Sequence, residues 1–190
     1  MELNKIYCEN CLDTMARMPD NFIDCCVTSP PYYGLRDYGH KDQIGLEETP
    51  EKYVEQLVRV FKEVKRVLKT GGTLWLNLGD SYAHSLRQSG PEYAGKLANK
   101  SKGQIKEGFK PIQKGYKEKD LIGIPWMVAF ALRADGWYLR SDIIWYKRNP
   151  MPESVTDRPT KSHEYIFLMS KSPNYYYDYE AIQERATGYD

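Results

Sequence analysis

The sequence predicts an α/β fold with a mostly parallel sheet, and three observations support this class. An apolar run at residues 22–27 stops at two prolines, and a second apolar run at residues 73–80 follows a long amphipathic helix pattern. Strand, helix and strand in this order form a βαβ unit, whose right-handed crossover makes the two strands parallel. Two further runs, at 137–146 and 164–169, alternate as strands do and predict an antiparallel hairpin at the sheet edge.

Length and composition narrow the class of protein. A chain of 190 residues is long enough for one domain with a packed core and too short for two comfortable ones. With 27 basic and 26 acidic residues, the formal charge of +1 neither requires nor excludes a polyanionic partner. The amino terminus lacks the apolar region of a signal peptide, and no segment is long enough to span a bilayer. We therefore expect a soluble, cytoplasmic protein without a membrane partner.

The amino-terminal residues offer a candidate ligand site. Residues 4–8 are typical of a short strand, and Asn10 begins a helical turn that ends near residues 18–21. A strand that passes into a helix presents unpaired backbone N–H groups to a ligand. Asn10 is also a good helix N-cap, so a ligand contact and a capping role both stay open for its side chain.

Four cysteines, at positions 8, 11, 25 and 26, raise the question of a zinc site. Neighbouring Cys25 and Cys26 in a strand point to opposite faces, so one ion cannot easily take both. Free cysteine is common in protein cores. We therefore interpret all four as reduced structural thiols and predict no metal site.

Thr49 and Pro50 mark the start of the clearest helix, as N-cap and first helical residue. Its apolar residues recur at steps of three and four as far as Leu68, so one face packs on the sheet. Residues 69–72 are predicted to end this helix before the second strand. A second, strongly apolar helix is predicted over 121–132, ending near residues 135–136.

The stretch Thr28-Ser29-Pro30-Pro31-Tyr32-Tyr33-Gly34 follows the first predicted strand. Proline fixes φ and donates no backbone hydrogen bond, so the Ser29 hydroxyl and the Pro30 carbonyl are held at a strand end with little freedom. Ligands of open α/β sheets bind at that edge. An aromatic pair beside fixed acceptors suits a flat heterocycle that carries an amino group. The structural alternative is a proline-stopped strand followed by an aromatic turn.

Two further segments are basic or loop-like. Residues 34–40 form a glycine-bracketed loop, in which Arg36 either contacts a phosphate or is simply solvated. Residues 83–119 break the fold pattern, with eight lysines against two glutamates between positions 96 and 119, a local charge of 8 − 2 = +6. We expect a mobile basic insertion, which either tracks a phosphate backbone or is a solvated loop without a partner.

Ser29-Pro30-Pro31-Tyr32 after an apolar strand resembles the catalytic motif of DNA amino-methyltransferases, which modify cytosine N4 or adenine N6. More matches follow in the order of that family: Gly136-Trp137, Ile143-Ile144-Trp145-Tyr146-Lys147, Asn149-Pro150-Met151-Pro152 and His163-Glu164-Tyr165. The resemblance covers nearly the whole chain. It implies a Rossmann-like methyltransferase sheet, S-adenosyl-L-methionine as cofactor and double-stranded DNA as partner.

The resemblance also implies roles for particular residues. Catalysis falls to Ser29, Pro30, Pro31 and Tyr32, with the first two supplying acceptors for the amine of a flipped base and Tyr32 stacking on it. Serine in the first motif position favours cytosine N4 over adenine N6. The implied cofactor contacts are Asn10, Cys11, Ser29 and Pro30, although Asn10 stands where the family usually has aspartate. The candidate DNA contacts come from the residues themselves: Arg36 in its loop, and the cations that bracket the proline-rich connection before the last strand, Lys147, Arg148, Arg158 and Lys161.

Two parts of such an enzyme have no match in the sequence. The cofactor glycine loop, typically Asp-Pro-Phe-x-Gly-Ser-Gly, is not found, and the target-recognition region is not found either. We therefore expect residues 1–190 to form one methyltransferase catalytic subdomain with an incomplete sheet, completed by a carboxyl-terminal partner chain or missing segment. Two alternatives stay open: a catalytically silent nucleic-acid-binding or assembly fragment, and a methyltransferase for a protein amide.

Overall fold

The computed structural model describes residues 2–83 and 115–184. The predicted basic insertion at 83–119 therefore lies mostly outside the described residues. The helices are α1 (Cys11–Ala16), α2 (Pro50–Val67) and α3 (Ile124–Ala134), and the strands are β1 (Ile23–Thr28), β2 (Leu68–Leu78), β3 (Tyr138–Tyr146) and β4 (His163–Ser170). In this part of the chain, no helix is both long enough and apolar enough to cross a bilayer.

The four strands form one mixed sheet in the order β1-β2-β4-β3. β1 pairs parallel with β2, whereas β4 pairs antiparallel with both β2 and β3. Three strands therefore run in one direction, and the returning strand of the hairpin lies between two of them. The predicted α/β class and edge hairpin are confirmed, although only β1 and β2 are directly paired in parallel because β4 separates β3 from β2.

Helix α2 forms where its capping residues predict. The Thr49 side chain accepts a hydrogen bond from the Lys52 backbone N–H at 3.2 Å, and Pro50 is the first helical residue. The apolar positions at steps of three and four are buried against the sheet, among them Tyr53, Leu57, Phe61, Val64 and Val67. Amphipathic spacing was therefore sufficient to predict this helix and its inward face.

The strand predicted at residues 4–8 is wrong. The described residues before α1 carry no strand, and Ile6 is 93% exposed. A strand needs a neighbour for its backbone hydrogen bonds, and none of the four strands pairs with this segment. A short apolar run does not by itself predict a strand, because the sequence does not show whether a neighbouring strand will pair with it.

The turn predicted at residues 69–72 is also wrong, because β2 begins at Leu68, directly after α2. The β1–β2 register shifts between Ile23 and Cys25. A Cβ atom on Gly72 would lie 3.0 Å from the Asp24 carbonyl oxygen and 2.9 Å from Leu68 Cδ2. Gly72 therefore permits a close approach of two backbones at an irregularity, rather than ending a helix.

The sheet has two unlike faces. Alternate residues Leu74, Leu76 and Leu78 of β2 are fully buried in one cluster with α2 and α3, and we call this the covered face. Residues of the other parity point the opposite way, to what we call the open face, defined by Cys25, Val27, Trp75, Asn77, Glu164 and Ile166. Val27 is 79% exposed there.

The chain leaves and re-enters the fold at one place. After β2, the Ala83 backbone N–H donates to the Asp120 carbonyl at 2.8 Å, and the Lys119 N–H donates to the Ala83 carbonyl at 2.7 Å. Asp80 Oδ1 accepts hydrogen bonds from the Gly123 and Ile124 N–H groups, at 3.0 and 2.9 Å. Asp80 therefore caps α3 from the end of the neighbouring strand.

Candidate active site

Three strand ends bring polar side chains together. Ser29 follows the carboxyl end of β1, Asn77 lies near the carboxyl end of β2, and Glu164 lies at the beginning of antiparallel β4. The carboxyl ends of parallel strands and the amino end of an antiparallel neighbour lie at the same sheet edge. This edge is where the Ser29 to Tyr32 motif leaves the sheet, as predicted.

Four oxygen atoms form what we call the oxygen cluster: Ser29 Oγ, Tyr32 Oη, Asn77 Oδ1 and Glu164 Oε2. Ser29 Oγ lies 3.2 Å from Asn77 Oδ1 and 3.3 Å from Tyr32 Oη. Tyr32 Oη lies 2.7 Å from Asn77 Oδ1 and 2.9 Å from Glu164 Oε2. The Asn77 amide is oriented by its nitrogen, which donates to the Tyr165 carbonyl at 3.3 Å.

The oxygen cluster holds fewer protons than acceptor sites. Ser29 and Tyr32 each carry one O–H proton, whereas the Asn77 carbonyl and an ionised Glu164 carry none. The four linked oxygens therefore carry two protons of their own, Glu164 also accepts from Lys147, and lone pairs remain after these hydrogen bonds have formed. A ligand that brings N–H donors satisfies this arrangement, which is the chemistry of an exocyclic amine.

Charge around the cluster is set by two groups. Burial disfavours the ionised form of Glu164, yet its bonds to Lys147 and Tyr32 outweigh burial and hold its pKa below the ordinary value. Burial, reinforced by Glu164, raises the pKa of Tyr32 to about 12. At neutral pH, Tyr32 is therefore a protonated hydroxyl that donates, and Glu164 is a carboxylate that accepts.

The position of the Tyr32 ring depends on Gly79. A Cβ atom at residue 79 would lie 2.6 Å from Cε2 and 2.9 Å from Cδ2 of that ring. Cβ atoms in proteins essentially never lie within 3.0 Å of a non-bonded neighbour, so a side chain at this position would require the Tyr32 ring to shift. Gly79 thus provides the space in which Tyr32 reaches the oxygen cluster.

The remainder of the motif is anchored to the core. Tyr53 of α2 donates its hydroxyl hydrogen bond to the Pro31 carbonyl at 2.9 Å, and its ring packs on buried Tyr33 at a centroid distance of 5.6 Å. Ser81 Oγ donates to the Tyr33 carbonyl at 3.1 Å. Ser29 is exposed and Pro30 half-buried at the edge of this anchored segment. The prolines are therefore held in place by packing as well as by their own rings.

The predicted cofactor contacts at the amino terminus lie in α1. Asn10 Oδ1 accepts from the Leu12 backbone N–H at 2.9 Å, so this side chain is the N-cap of α1. Cys11 is the first residue of that helix and is exposed. Within the described ranges, neither side chain bonds to the oxygen cluster. The capping alternative is thus what the structure shows for Asn10 Oδ1.

The predicted DNA contacts fall into two groups. Arg36 and Arg148 are exposed. Lys147 pairs with Glu164, Arg158 pairs with Glu153 and covers the Tyr82 ring at 4.0 Å, and Lys161 is half-buried, where burial lowers its pKa. Two of the five cations therefore have ion-pair partners, and Lys147 belongs to the candidate active site.

Sequence reasoning missed Asn77 and Gly79, and it recorded Glu164 only as part of a motif match. One signal was available for Asn77, which is a polar residue inside the otherwise apolar run 74–78. No local pattern indicates that Glu164 reaches Tyr32, because 132 positions separate them. Such a pairing follows only from the placement of β4 beside β2.

The cysteines are free thiols, but they are not core residues as a group. Cys8, Cys11 and Cys25 are exposed, whereas Cys26 is half-buried and burial raises its pKa to about 11. The predicted core role is therefore wrong for three of the four, because two precede or begin α1 and Cys25 points to the open face. Across residues 2–83 and 115–184, no three His, Cys, Asp or Glu side chains are grouped to hold a metal ion.

Comparisons with known proteins agree on one family. Residues 23–190 match the N6/N4 methyltransferase family, described as DNA methylase. Type II methyltransferase M.SmaI of Serratia marcescens is 51% identical over 183 residues, which cover 96% of this chain and 61% of that protein. M.Cfr9I of Citrobacter freundii is 50% identical over 187 residues, which cover 97% of this chain and 60% of that protein.

Solved structures share the fold. PvuII DNA methyltransferase, described as cytosine-N4-specific, superposes with a TM-score of 0.60 at 18% identity, over 89% of this chain and 49% of that one. A Thermus thermophilus protein complexed with S-adenosyl-L-methionine gives a TM-score of 0.55 at 21% identity, over 90% of this chain and 54% of that one. The chain spans about three fifths of the length of the M.SmaI and M.Cfr9I relatives. The family match over residues 23–190 shows that this chain belongs to the N6/N4 family of DNA methylases.

Proposed function

We propose that the protein is the catalytic part of a site-specific DNA methyltransferase that uses S-adenosyl-L-methionine to methylate the exocyclic amine of a flipped base. The observation that carries this proposal is the oxygen cluster, an acceptor-rich group at the strand end that follows Ser29-Pro30-Pro31-Tyr32. Membership of the DNA methylase family supports the same chemistry.

The amine of a nucleobase is a poor nucleophile because its lone pair is delocalised into the ring. Ser29 Oγ and the Pro30 carbonyl accept hydrogen bonds from the two N–H groups of the amine. These hydrogen bonds draw the nitrogen towards tetrahedral geometry, which directs its lone pair at the methyl group. Methyl transfer would form the N–CH3 bond as the S–CH3 bond breaks with its electron pair on sulfur, and the nitrogen would then lose one proton to water. A separate strong base is not required, because the nitrogen becomes acidic as the methyl arrives.

S-Adenosyl-L-methionine supplies the methyl group as an electrophilic sulfonium. The residues of this chain fit the methyl-accepting side of that reaction. For the cofactor itself we propose contacts from Ser29 and Pro30, with Cys11 and the Asn10 side-chain nitrogen near its adenine. Asn10 Oδ1 is already used in capping α1, so its contribution is limited to donation. We propose that a further segment or partner chain brings the glycine loop.

Double-stranded DNA is the proposed partner. Arg36 and Arg148 are the exposed cations of the predicted set, and we propose that they contact phosphates directly. Lys147, Arg158 and Lys161 contribute positive potential near the same edge while keeping their present neighbours. Tyr32 is proposed to stack on the flipped base, a contact worth about 1–3 kcal/mol.

We propose cytosine N4 as the methylated atom in preference to adenine N6. Serine in the first motif position supports this choice. Mass spectrometry of nucleosides from treated DNA decides it: N4-methylcytosine is the expected product, and methyl groups on adenine alone would overturn the preference.

The competing function is a catalytically silent nucleic-acid-binding fragment. Isothermal titration with S-adenosyl-L-methionine separates the two. Binding by this chain alone contradicts a silent fragment, whereas binding only after addition of the remaining part of a relative supports it. A Ser29→Ala variant should lose methyl transfer while keeping DNA affinity, with Ser154→Ala, an exposed serine outside the cluster, as the control.

A further inference from the structure

Glu164 lies outside the Ser29 to Tyr32 motif, yet it closes the oxygen cluster. Its side chain is only 16% exposed, and both carboxylate oxygens have partners. Oε1 pairs with Lys147, and Oε2 lies 2.9 Å from Tyr32 Oη. Because each carboxylate oxygen faces a protein partner, Glu164 can act on the reaction through its hydrogen bond with Tyr32.

The destination of the single Tyr32 proton decides what the cluster offers to a ligand. Two acceptors compete for it, Asn77 Oδ1 at 2.7 Å and Glu164 Oε2 at 2.9 Å. Hydrogen bonds to an ionised acceptor are about twice as strong as those between neutral groups. An ionised Glu164 therefore draws the proton away from Asn77, although Asn77 is slightly nearer.

We infer that Glu164, kept ionised by Lys147, is a positioning residue: it takes the Tyr32 hydrogen bond and so leaves Asn77 Oδ1 to accept the Ser29 hydroxyl at 3.2 Å, which directs the lone pairs of Ser29 Oγ at the substrate amine. This inference rests on the proposed function. A protonated Glu164 reverses the arrangement, because it becomes a donor and returns the Tyr32 proton to Asn77.

Other charged groups face the same carboxylate. Lys161, which precedes β4, interacts electrostatically with both Glu164 and Asp80, and burial lowers its pKa. Lys147 lies directly after β3 and contacts the carboxylate itself. Because Glu164 has a pKa below its ordinary value, the arrangement is complete at neutral pH and is lost only as the pH falls through that lowered value.

The test follows Tyr32 by nuclear magnetic resonance in protein labelled with [ζ-13C]tyrosine, using Tyr32→Phe to identify its signal. On acidification from neutral pH, the Tyr32 signal should shift with a midpoint below 4.5, the ordinary value for a glutamate. Lys147→Gln should move that midpoint to higher pH by about one unit or more, because an opposite charge is removed. Glu164→Gln should abolish the transition.

Glu153→Gln is the matched control, because Glu153 is a partly exposed carboxylate paired with Arg158. It should leave the Tyr32 transition unchanged. Persistence of the transition in Glu164→Gln, or an unmoved midpoint in Lys147→Gln, would overturn the inference; the second variant answers the question even where the first fails to fold. No step requires methyl transfer, so an inactive chain with the expected titration contradicts the proposed function alone.

Discussion

The two faces of the sheet differ in packing and in chemistry. On the covered face, Leu74, Leu76 and Leu78 are fully buried beneath α2 and α3, whereas Val27 on the open face is 79% exposed. The oxygen cluster draws Asn77 and Glu164 from the open-face parity of their strands. The covered face therefore holds most of the apolar core, and the end of the open face supplies the polar chemistry.

Truncating a side chain on the covered face should have the largest effect on the free energy of unfolding. Leu76→Ala removes a fully buried side chain between the sheet and its helices, so the free energy of unfolding should fall by about 2–5 kcal/mol. Urea unfolding followed by circular dichroism measures it. A loss below about 0.5 kcal/mol, the usual range of a surface substitution, would remove the difference between the faces.

The adjacent cysteines of β1 test the same difference in exposure between the two faces of the sheet. Cys25 is exposed, whereas burial raises the pKa of Cys26 to about 11. Because the thiolate is the reactive form, Cys26 in the folded protein should react with a thiol reagent near pH 8 about 100-fold more slowly than it does in the unfolded chain, and more slowly than exposed Cys25. Labelling rates in a Cys8→Ser, Cys11→Ser background test this, with urea-unfolded protein as the control. Equal rates in the folded protein would contradict the assignment of the faces.

Gly79→Ala tests the site end of the open face. The added Cβ would lie 2.6 Å from the Tyr32 ring, so we expect a loss of about 1–3 kcal/mol as the ring is displaced. The same change in a Tyr32→Ala background should cost much less, and this double-mutant cycle isolates the contact. Equal losses of stability in both backgrounds would show that the Tyr32 ring is not what disfavours a side chain at residue 79.

Val27→Thr should have the smallest effect. The side chain is 79% exposed, so replacing one methyl group with a hydroxyl should change the unfolding free energy by less than about 0.5 kcal/mol. The urea midpoint measures this, with Val128→Thr as the control, since Val128 is fully buried in α3. A large loss in Val27→Thr would mean that the open face is packed.

Local sequence patterns predicted the helices and strands better than they predicted the contacts between them. Thr49 and Pro50 define the start of α2 because capping and the proline ring act within one turn. The meeting of Tyr32 with Glu164 depends on β4 lying beside β2, a pairing between residues far apart in the chain. Residues 4–8 show the converse, since a strand-like composition formed no strand without a partner. The sequence was therefore enough to predict a polar site at the end of β1. It was not enough to predict that Asn77 and Glu164, which lie far away in the chain, would join that site.

The backbone hydrogen bonds that join Ala83 to Lys119 and Asp120 have a consequence for protein engineering. They hold the two ends of the intervening chain together whatever its length. Loop-closure entropy changes by only about 0.6 kcal/mol for each doubling of loop length, so the cost of closing this junction depends little on the length of the chain between its ends. A variant with residues 84–114 replaced by a short glycine-serine linker therefore keeps this closed junction, and the difference between its polyanion affinity and that of the intact chain measures what the lysines of the segment contribute.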